Sequence, residues 1–238
     1  MKTAGIIGGI GPESTINYYR QIVELYRERT QDGSYPALII NSIDLTRMLV
    51  LMGAGRLDEL ADFLLDGLAT LHRAGAAFGA ITSNTPHVIF DELQRRSTIP
   101  LISIVETAAR AAKAQGVRRA ALIGTRFTMG GKFYPETFAA LGVEIITPAP
   151  DEQAFIHDKY MSEFLIDDIR PETRSALLAI IEKMRAREDF DALVLGGTEL
   201  PLILRSSDYP SLPMLDTTQL HVAEIVAQMT KVSSQAAV

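Results

Sequence analysis

The sequence predicts an α/β protein of two related lobes, each a parallel sheet covered by helices. Three observations carry this. Apolar runs of strand length alternate with helix-spaced patterns along all 238 residues, the order that produces parallel sheets buried on both faces. Two strands run into similar polar turns, "AITSNTPH" at 80–87 and "ALVLGGTE" at 192–199. The halves also align: "AGIIGG" (4–9) falls on "AALIGT" (120–125), with 75 residues from Gly8 to Ser83 and 73 from Gly124 to Gly197.

Taken in order, strands are expected at 4–8, 36–41, 77–83, 100–103, 118–124, 143–147, 191–196 and 212–215. Ile16, Tyr19, Val23 and Tyr26 mark the first helix. Residues 57, 60, 64, 68 and 71 are all leucine at helical spacing, and Leu177, Ile180, Ile181 and Met184 mark another helix. Pro12, Pro86 and Pro171 suit the first helical position, where a missing N–H costs nothing. Gly75, Gly116 and Gly142 suit C-terminal caps. "IPLISIVETA" (99–108) and "LPMLDTTQLH" (212–221) each read as a short strand entering a helix. The last helix, 217–230, is expected to return to the first lobe, so lobe one is 1–112 plus 213–238 and lobe two is 113–212. Residues 231–238 are expected to fray.

Composition narrows the function. A net charge of −6 leaves no basic footprint for nucleic acid. No window approaches the roughly 20 apolar residues of a membrane span, and the glycine-broken start lacks a cleavage pattern, so a cytoplasmic protein is expected. The chain has no cysteine, which excludes disulfides, thiolate nucleophiles and cysteine metal sites. His72, His87, His157 and His221 lie far apart, so no metal is expected. His72, beside the leucine stripe, reads as structural, and His221 equally as structural or as a site residue.

Four stretches could carry chemistry. "GGIGPES" (8–14) lacks the third glycine of a dinucleotide fingerprint, and its second strand ends in Asn41 instead of an acidic residue, with Asp44 beyond the strand. It also lacks the GK[ST] of a P-loop. Its glycines suit either a plain tight turn or a helix-start anion site at Gly9, Ile10 and Gly11 suited to a carboxylate. In "SNTPH", Asn84 and Thr85 can donate hydrogen bonds, Thr85 can equally cap a helix, and Ser83 would be a nucleophile if His87 were its base, although no G-x-S-x-G elbow is present. In "GGTEL", Glu199 could take an ammonium, act as a base, or be a solvated helix-start carboxylate. In "LIGTRFTMGGKFY" (122–134), Thr125 and Thr128 suit a carboxylate, and Arg126 and Lys132 could pair with substrate or with neighbours on the surface, the surface being the expected place of Lys132.

Together these stretches resemble the aspartate/glutamate racemase superfamily. The resemblance runs nearly the whole chain, through "GGIGPEST", "SNTPH", "LIGTRFTM…FY", "LGGTE" and "LPMLDTTQLH" in family order. It implies two Rossmann-like α/β lobes with parallel sheets related by pseudo-twofold symmetry, an active site in the cleft between them, no cofactor, and commonly a homodimer. It also implies a cysteine in each turn, one thiolate removing the α-proton of an amino acid and the other thiol returning a proton to the opposite face. Those positions here hold Ser83 and Gly197. A subgroup has threonine at the first and keeps the second cysteine; this chain departs further.

The departure is chemical. Each acid/base group needs a pKa that can be brought near the operating pH. A thiol starts near ~8.5 and can be lowered, whereas a serine hydroxyl is a far weaker acid and Gly197 offers only a backbone N–H. Two-thiol racemisation is therefore excluded. Three readings remain: a racemase-family enzyme whose thiols have been replaced, naturally or by engineering; a divergent enzyme using Ser83, His87, Glu199 or water for one-sided decarboxylation, elimination or hydrolysis; and a non-catalytic binder of a small carboxylate. Under the first, a cysteine introduced at 197 is expected to restore racemisation. By position, the resemblance puts Ser83 and Gly197 at the reaction centre with Glu199 and His87 beside them. It assigns substrate binding to Asn84, Thr85, Thr125, Thr128 and Thr198, with Gly9, Ile10, Gly11 and Asp44. The implied ligand is a small amino acid or dicarboxylate.

Overall fold

The structure is a computed structural model that describes residues 1–231; the expected frayed tail lies, but for Lys231, outside the described residues. Along the chain run β1 (Ala4–Gly8), α1 (Pro12–Thr30), β2 (Leu38–Ser42), α2 (Leu45–Gly53), α3 (Leu57–Arg73), β3 (Phe78–Ile81), a 3₁₀ turn (Thr85–Ile89), α4 (Phe90–Arg96), β4 (Leu101–Ile102) and α5 (Ile104–Ala114). There follow β5 (Arg119–Gly124), α6 (Arg126–Gly130), α7 (Phe133–Ala139), β6 (Glu144–Ile146), α8 (Pro150–Ser162), α9 (Pro171–Arg187), β7 (Ala192–Gly196), α10 (Leu200–Ile203), β8 (Met214–Asp216) and α11 (Thr217–Thr230). Each expected strand is present. The strands form two four-stranded sheets, ordered β2-β1-β3-β4 and β6-β5-β7-β8, and every strand pair is parallel. The second sheet thus repeats the order of the first, as the aligned halves predict.

The chain divides into two compact units. Among the described residues, the first is Met1–Thr82, Ile89–Ser103 and 221–231; the second is Ser83–Val88 and Ile104–Leu220. The division differs from the expected boundaries at their edges. Residues 104–112 belong with the second unit because α5 buries Ile104, Val105, Ala108, Ala109 and Ala112 against β5 and β7. Residues 213–220 join it because β8 pairs with β7.

In the first unit, Ile6, Phe78 and Ala80 of the sheet share a core with Tyr18, Ile22 and Tyr26 of α1 and Val222, Ile225, Val226 and Met229 of α11. Ile16 and Tyr19, part of the expected stripe, are 51% and 54% exposed. Two helix-spaced apolar rows run along α1, and the row carrying Tyr18 and Ile22 is the one that packs. Leu60, Leu64, Leu68 and Leu71 of α3 are buried while Leu57 stays partly exposed; each buried leucine contributes roughly 2 kcal/mol. His221 is fully buried between Tyr18 Oη, 2.9 Å from Nδ1, and the Ile102 carbonyl, 3.0 Å from Nε2.

In the second unit, β5 alternates by the period of two that a strand imposes. Ala120 and Leu122 face α5 and α7, and Ala121 and Ile123 face α8 and α9. Pro12 and Pro171 occupy first-turn positions, Pro86 lies in the 3₁₀ turn, and Gly75, Gly116 and Gly142 have φ of 98°, 75° and 79°. Among the described residues no helix is long and apolar enough to cross a membrane.

Candidate active site

The two turns that raised the question of function both belong to the second unit. β3 ends at Ile81, and Ser83–Val88 carries the first turn to the carboxyl ends of β5 and β7, the end where ligands bind in sheets of this kind. Asn84 is 3% exposed. Its Nδ2 donates to Thr217 Oγ1 at 3.2 Å, Thr217 Oγ1 donates to the Leu195 carbonyl at 2.8 Å, and Tyr134 Oη donates to Asn84 Oδ1. The first turn is therefore two hydrogen bonds away from the strand end that leads into Gly197. Burial pushes the Tyr134 phenol far above its ordinary range, which keeps it a donor.

Thr85, Thr125 and Thr128 form a second buried group. Thr85 Oγ1 lies 2.9 Å from Thr125 Oγ1, which lies 3.2 Å from Thr128 Oγ1. Thr125 caps α6 by accepting from the Thr128 N–H. Thr217 and Thr218 open α11, whose first N–H groups are capped by Asp216. Thr218 Oγ1 is buried without a partner among the described residues, an unusual state for a native side chain.

His87 is a post, not a base. Its Nε2 accepts from the Ile104 N–H at 3.3 Å, so Nδ1 carries the proton and donates to the Ser83 carbonyl at 2.9 Å. With both ring nitrogens committed to backbone, the imidazole cannot deprotonate Ser83 Oγ in this arrangement. The i, i+4 spacing brings His87 to the carbonyl of Ser83 instead of its hydroxyl.

The second turn is built around Gly197. A β-carbon there would lie 2.5 Å from Tyr160 Cε2, 2.6 Å from Oη and 2.9 Å from Cζ. The backbone of Gly197 is outside the left-handed region, so the Tyr160 ring, not strain, keeps this position bare. Tyr160 Oη donates to Glu199 Oε2, and Thr198 Oγ1 donates to the same oxygen at 2.9 Å. Glu199 is 2% exposed: it is a buried carboxyl in a polar pair, not a solvated one. Burial and the Glu199 charge raise the Tyr160 phenol well above the ordinary tyrosine value. A lone cysteine at 197, expected above to restore racemisation, would collide with this ring.

The first glycine loop uses its own donors. Gly9 N–H donates to Thr15 Oγ1 at 2.9 Å, and Ser14 and Thr15 hydroxyls donate to the Gly11 carbonyl. Gly9 has φ 82°, and a β-carbon on it would lie 2.5 Å from the Ile43 carbonyl, so the tight-turn reading accounts for it. Asp44 caps α2 by accepting from Thr46 and Arg47 N–H. Gly9, Ile10, Gly11 and Asp44 belong to the first unit. Arg126 and Lys132 are exposed, and His72 lies 2.9 Å from Thr98 Oγ1 near the surface. Sequence reasoning missed Tyr134, Tyr160 and Thr217. Tyr134 and Thr217 sat inside motifs already singled out; Tyr160 carried no local signal.

The same parallel sheet order occurs twice, with polar turns after β3 and β7, and a profile of the Asp/Glu/Hydantoin racemase family matches residues 7–225. The chain belongs to that family. It is 27% identical over 145 residues to the broad specificity amino-acid racemase RacX of Bacillus subtilis, covering 60% of this chain and 63% of that protein. It is 29% identical over 164 residues to the glutamate racemase of Koribacter versatilis, covering 63% of this chain and 51% of that one. Both matches span less than two thirds of the relative. Among solved structures, an aspartate racemase homologue from Pyrococcus horikoshii is 32% identical, with a TM-score of 0.83 over 97% of this chain and 100% of that one. The Picrophilus torridus aspartate racemase, at 19% identity and a TM-score of 0.79 over 96% and 94%, shares the fold.

Proposed function

We propose that this protein is a cofactor-independent enzyme of the isomerase class that binds a small amino acid or dicarboxylate in the second unit and works on the acidity of its α-carbon, without the thiol pair its resemblance implies. The observation that carries this is the retained polar cluster, Asn84, Thr85, Thr125, Thr128, Thr198 and Glu199, held at the ends of β5 and β7 in a cysteine-free member of the family. In an acidic protein a carboxylate must be attracted locally, and hydroxyl and amide donors serve that end. The orphan Thr218 hydroxyl is the kind of group a bound carboxylate satisfies. Glu199 is suited to a substrate ammonium or to moving a proton. A homodimer is part of the same proposal, with sedimentation equilibrium as its test.

The Tyr160 ring packed on Gly197 favours chemistry on one face of the α-carbon over inversion. Proton NMR of aspartate, glutamate and other amino acids in D₂O tests the reading: loss of the α-proton signal supports it. Optical rotation then separates inversion from exchange with retention. Tight binding measured by calorimetry with no exchange would instead leave a carboxylate binder.

A further inference from the structure

We propose that the Tyr160 phenol and the Glu199 carboxylate act as one proton-transfer pair at the end of β7, with the phenol oxygen presented to the substrate α-carbon. The inference rests on the reading that the second unit acts on such a carbon. Tyr160 Oη lies 2.6 Å from where Gly197 would carry a β-carbon, so it reaches the edge of the turn that a longer residue at 197 would have covered. Its proton is directed to Glu199 Oε2, and Thr198 Oγ1 holds that same oxygen in place. The phenol oxygen thus has a proton acceptor in Glu199 Oε2, accepts from the Glu199 N–H at 3.5 Å, and has its other lone pair for the substrate.

A free phenolate is not available here, because burial and the neighbouring Glu199 charge hold the Tyr160 phenol well above its usual value. A paired transfer avoids it. The α-carbon–hydrogen bond breaks and its electron pair spreads into the substrate carboxyl as an enediolate. The released proton bonds to Tyr160 Oη while the phenol's own proton passes to Glu199, which becomes the neutral acid. The phenol is neutral before and after. Reversal returns a proton from Tyr160 Oη to the same face, and deuterium reaches the α-carbon once the phenol proton, passing between Tyr160 and Glu199, has exchanged with solvent. With no side chain at 197 and only a serine at 83, exchange with retention outruns inversion.

The test is α-proton exchange in D₂O on the intact protein, with the L and D forms of aspartate and glutamate, in wild type, Tyr160→Phe and Glu199→Gln. Wild type is expected to exchange one enantiomer and retain its configuration. Both variants are expected to lose about 100-fold or more in exchange rate, and Tyr160→Phe is expected to keep its calorimetric substrate affinity. Replacing Tyr160 with a ring-difluorinated tyrosine, nearly isosteric and more acidic, is expected to keep exchange and move its pH profile to lower pH. That variant decides the matter if Tyr160→Phe fails to fold. Exchange at the wild-type rate in Tyr160→Phe, or an unmoved profile in the fluorinated protein, overturns the pair while leaving the functional reading intact. A wild type that exchanges no substrate overturns the functional reading and the pair with it.

Discussion

Gly197→Ala should be costly for a reason that has nothing to do with glycine's backbone. The φ of Gly197 lies outside the left-handed region, so alanine can adopt it. The added carbon would sit 2.5–2.9 Å from three atoms of Tyr160, well inside ordinary contact distance. Tyr160 is 4% exposed and packs on Phe164, so it has little room to retreat. Overpacking of this kind costs about 1–3 kcal/mol. If the ring swings away, the buried Glu199 loses its phenol partner, and a hydrogen bond to a charged group contributes about 1.5–3 kcal/mol. We expect a loss of about 2–4 kcal/mol in urea unfolding, or a fall in Tm of roughly 5–15 °C for a chain of this size. Tyr160→Leu removes the ring, so adding Gly197→Ala to it should cost almost nothing, and the cycle should show strong coupling. A Gly197→Ala protein as stable as wild type, with Tyr160 intact, would refute the steric argument.

The remaining expectations follow from the same contacts. Gly197→Cys alone should give no racemisation and a less stable protein, whereas Gly197→Cys with Tyr160→Leu should accept the thiol; chiral chromatography of product amino acids reads the difference. Burial lowers the His221 pKa from 6.5 to about 4, so between those values the unfolded chain binds a proton that the native chain refuses. Stability should be complete above pH 6.5 and fall toward pH 4 by about 3 kcal/mol; urea midpoints across that window should be flatter in His221→Gln, and equal slopes would remove His221 as the cause. Asn84→Ala strands Tyr134 Oη and frees Thr217 from its donor, and should cost about 2–3 kcal/mol, measured by urea denaturation; Asn84→Asp, which keeps the acceptor for Tyr134, should cost less.

Much of the fold was legible because strands and helices write themselves locally. Each strand appears as an apolar run, and the leucines of α3 and the row on α9 bury as spaced. The face of α1 was not legible, since Ile16 and Tyr19 repeat at the same period as Tyr18 and Ile22 and only the neighbouring sheet and α11 select between them. Thr85, Thr125 and Thr128, from two separate motifs, hydrogen-bond in one row. The role of His87 depended on the backbone of Ile104, seventeen positions away, and Tyr160 reaches Glu199 across 39 positions. Contacts of that span leave no periodic trace, so a bare glycine at 197 looked like a deletion of chemistry until its neighbour was in view. Asp44 is the opposite case: it sits directly before "LTR" and caps α2, a local role that its expected place in substrate binding passed over.

The row Thr85–Thr125–Thr128 has one further property. Each hydroxyl owns a single hydrogen, and either oxygen of each pair can be the donor. The row therefore has two orientations. In one, hydrogens point from Thr128 through Thr125 to Thr85 and the Thr85 hydroxyl keeps its own hydrogen outside the row; in the other, every rotor is reversed and the Thr85 hydrogen points into it. Turning one member turns all three, at the cost of a few bond rotations and no movement of the main chain.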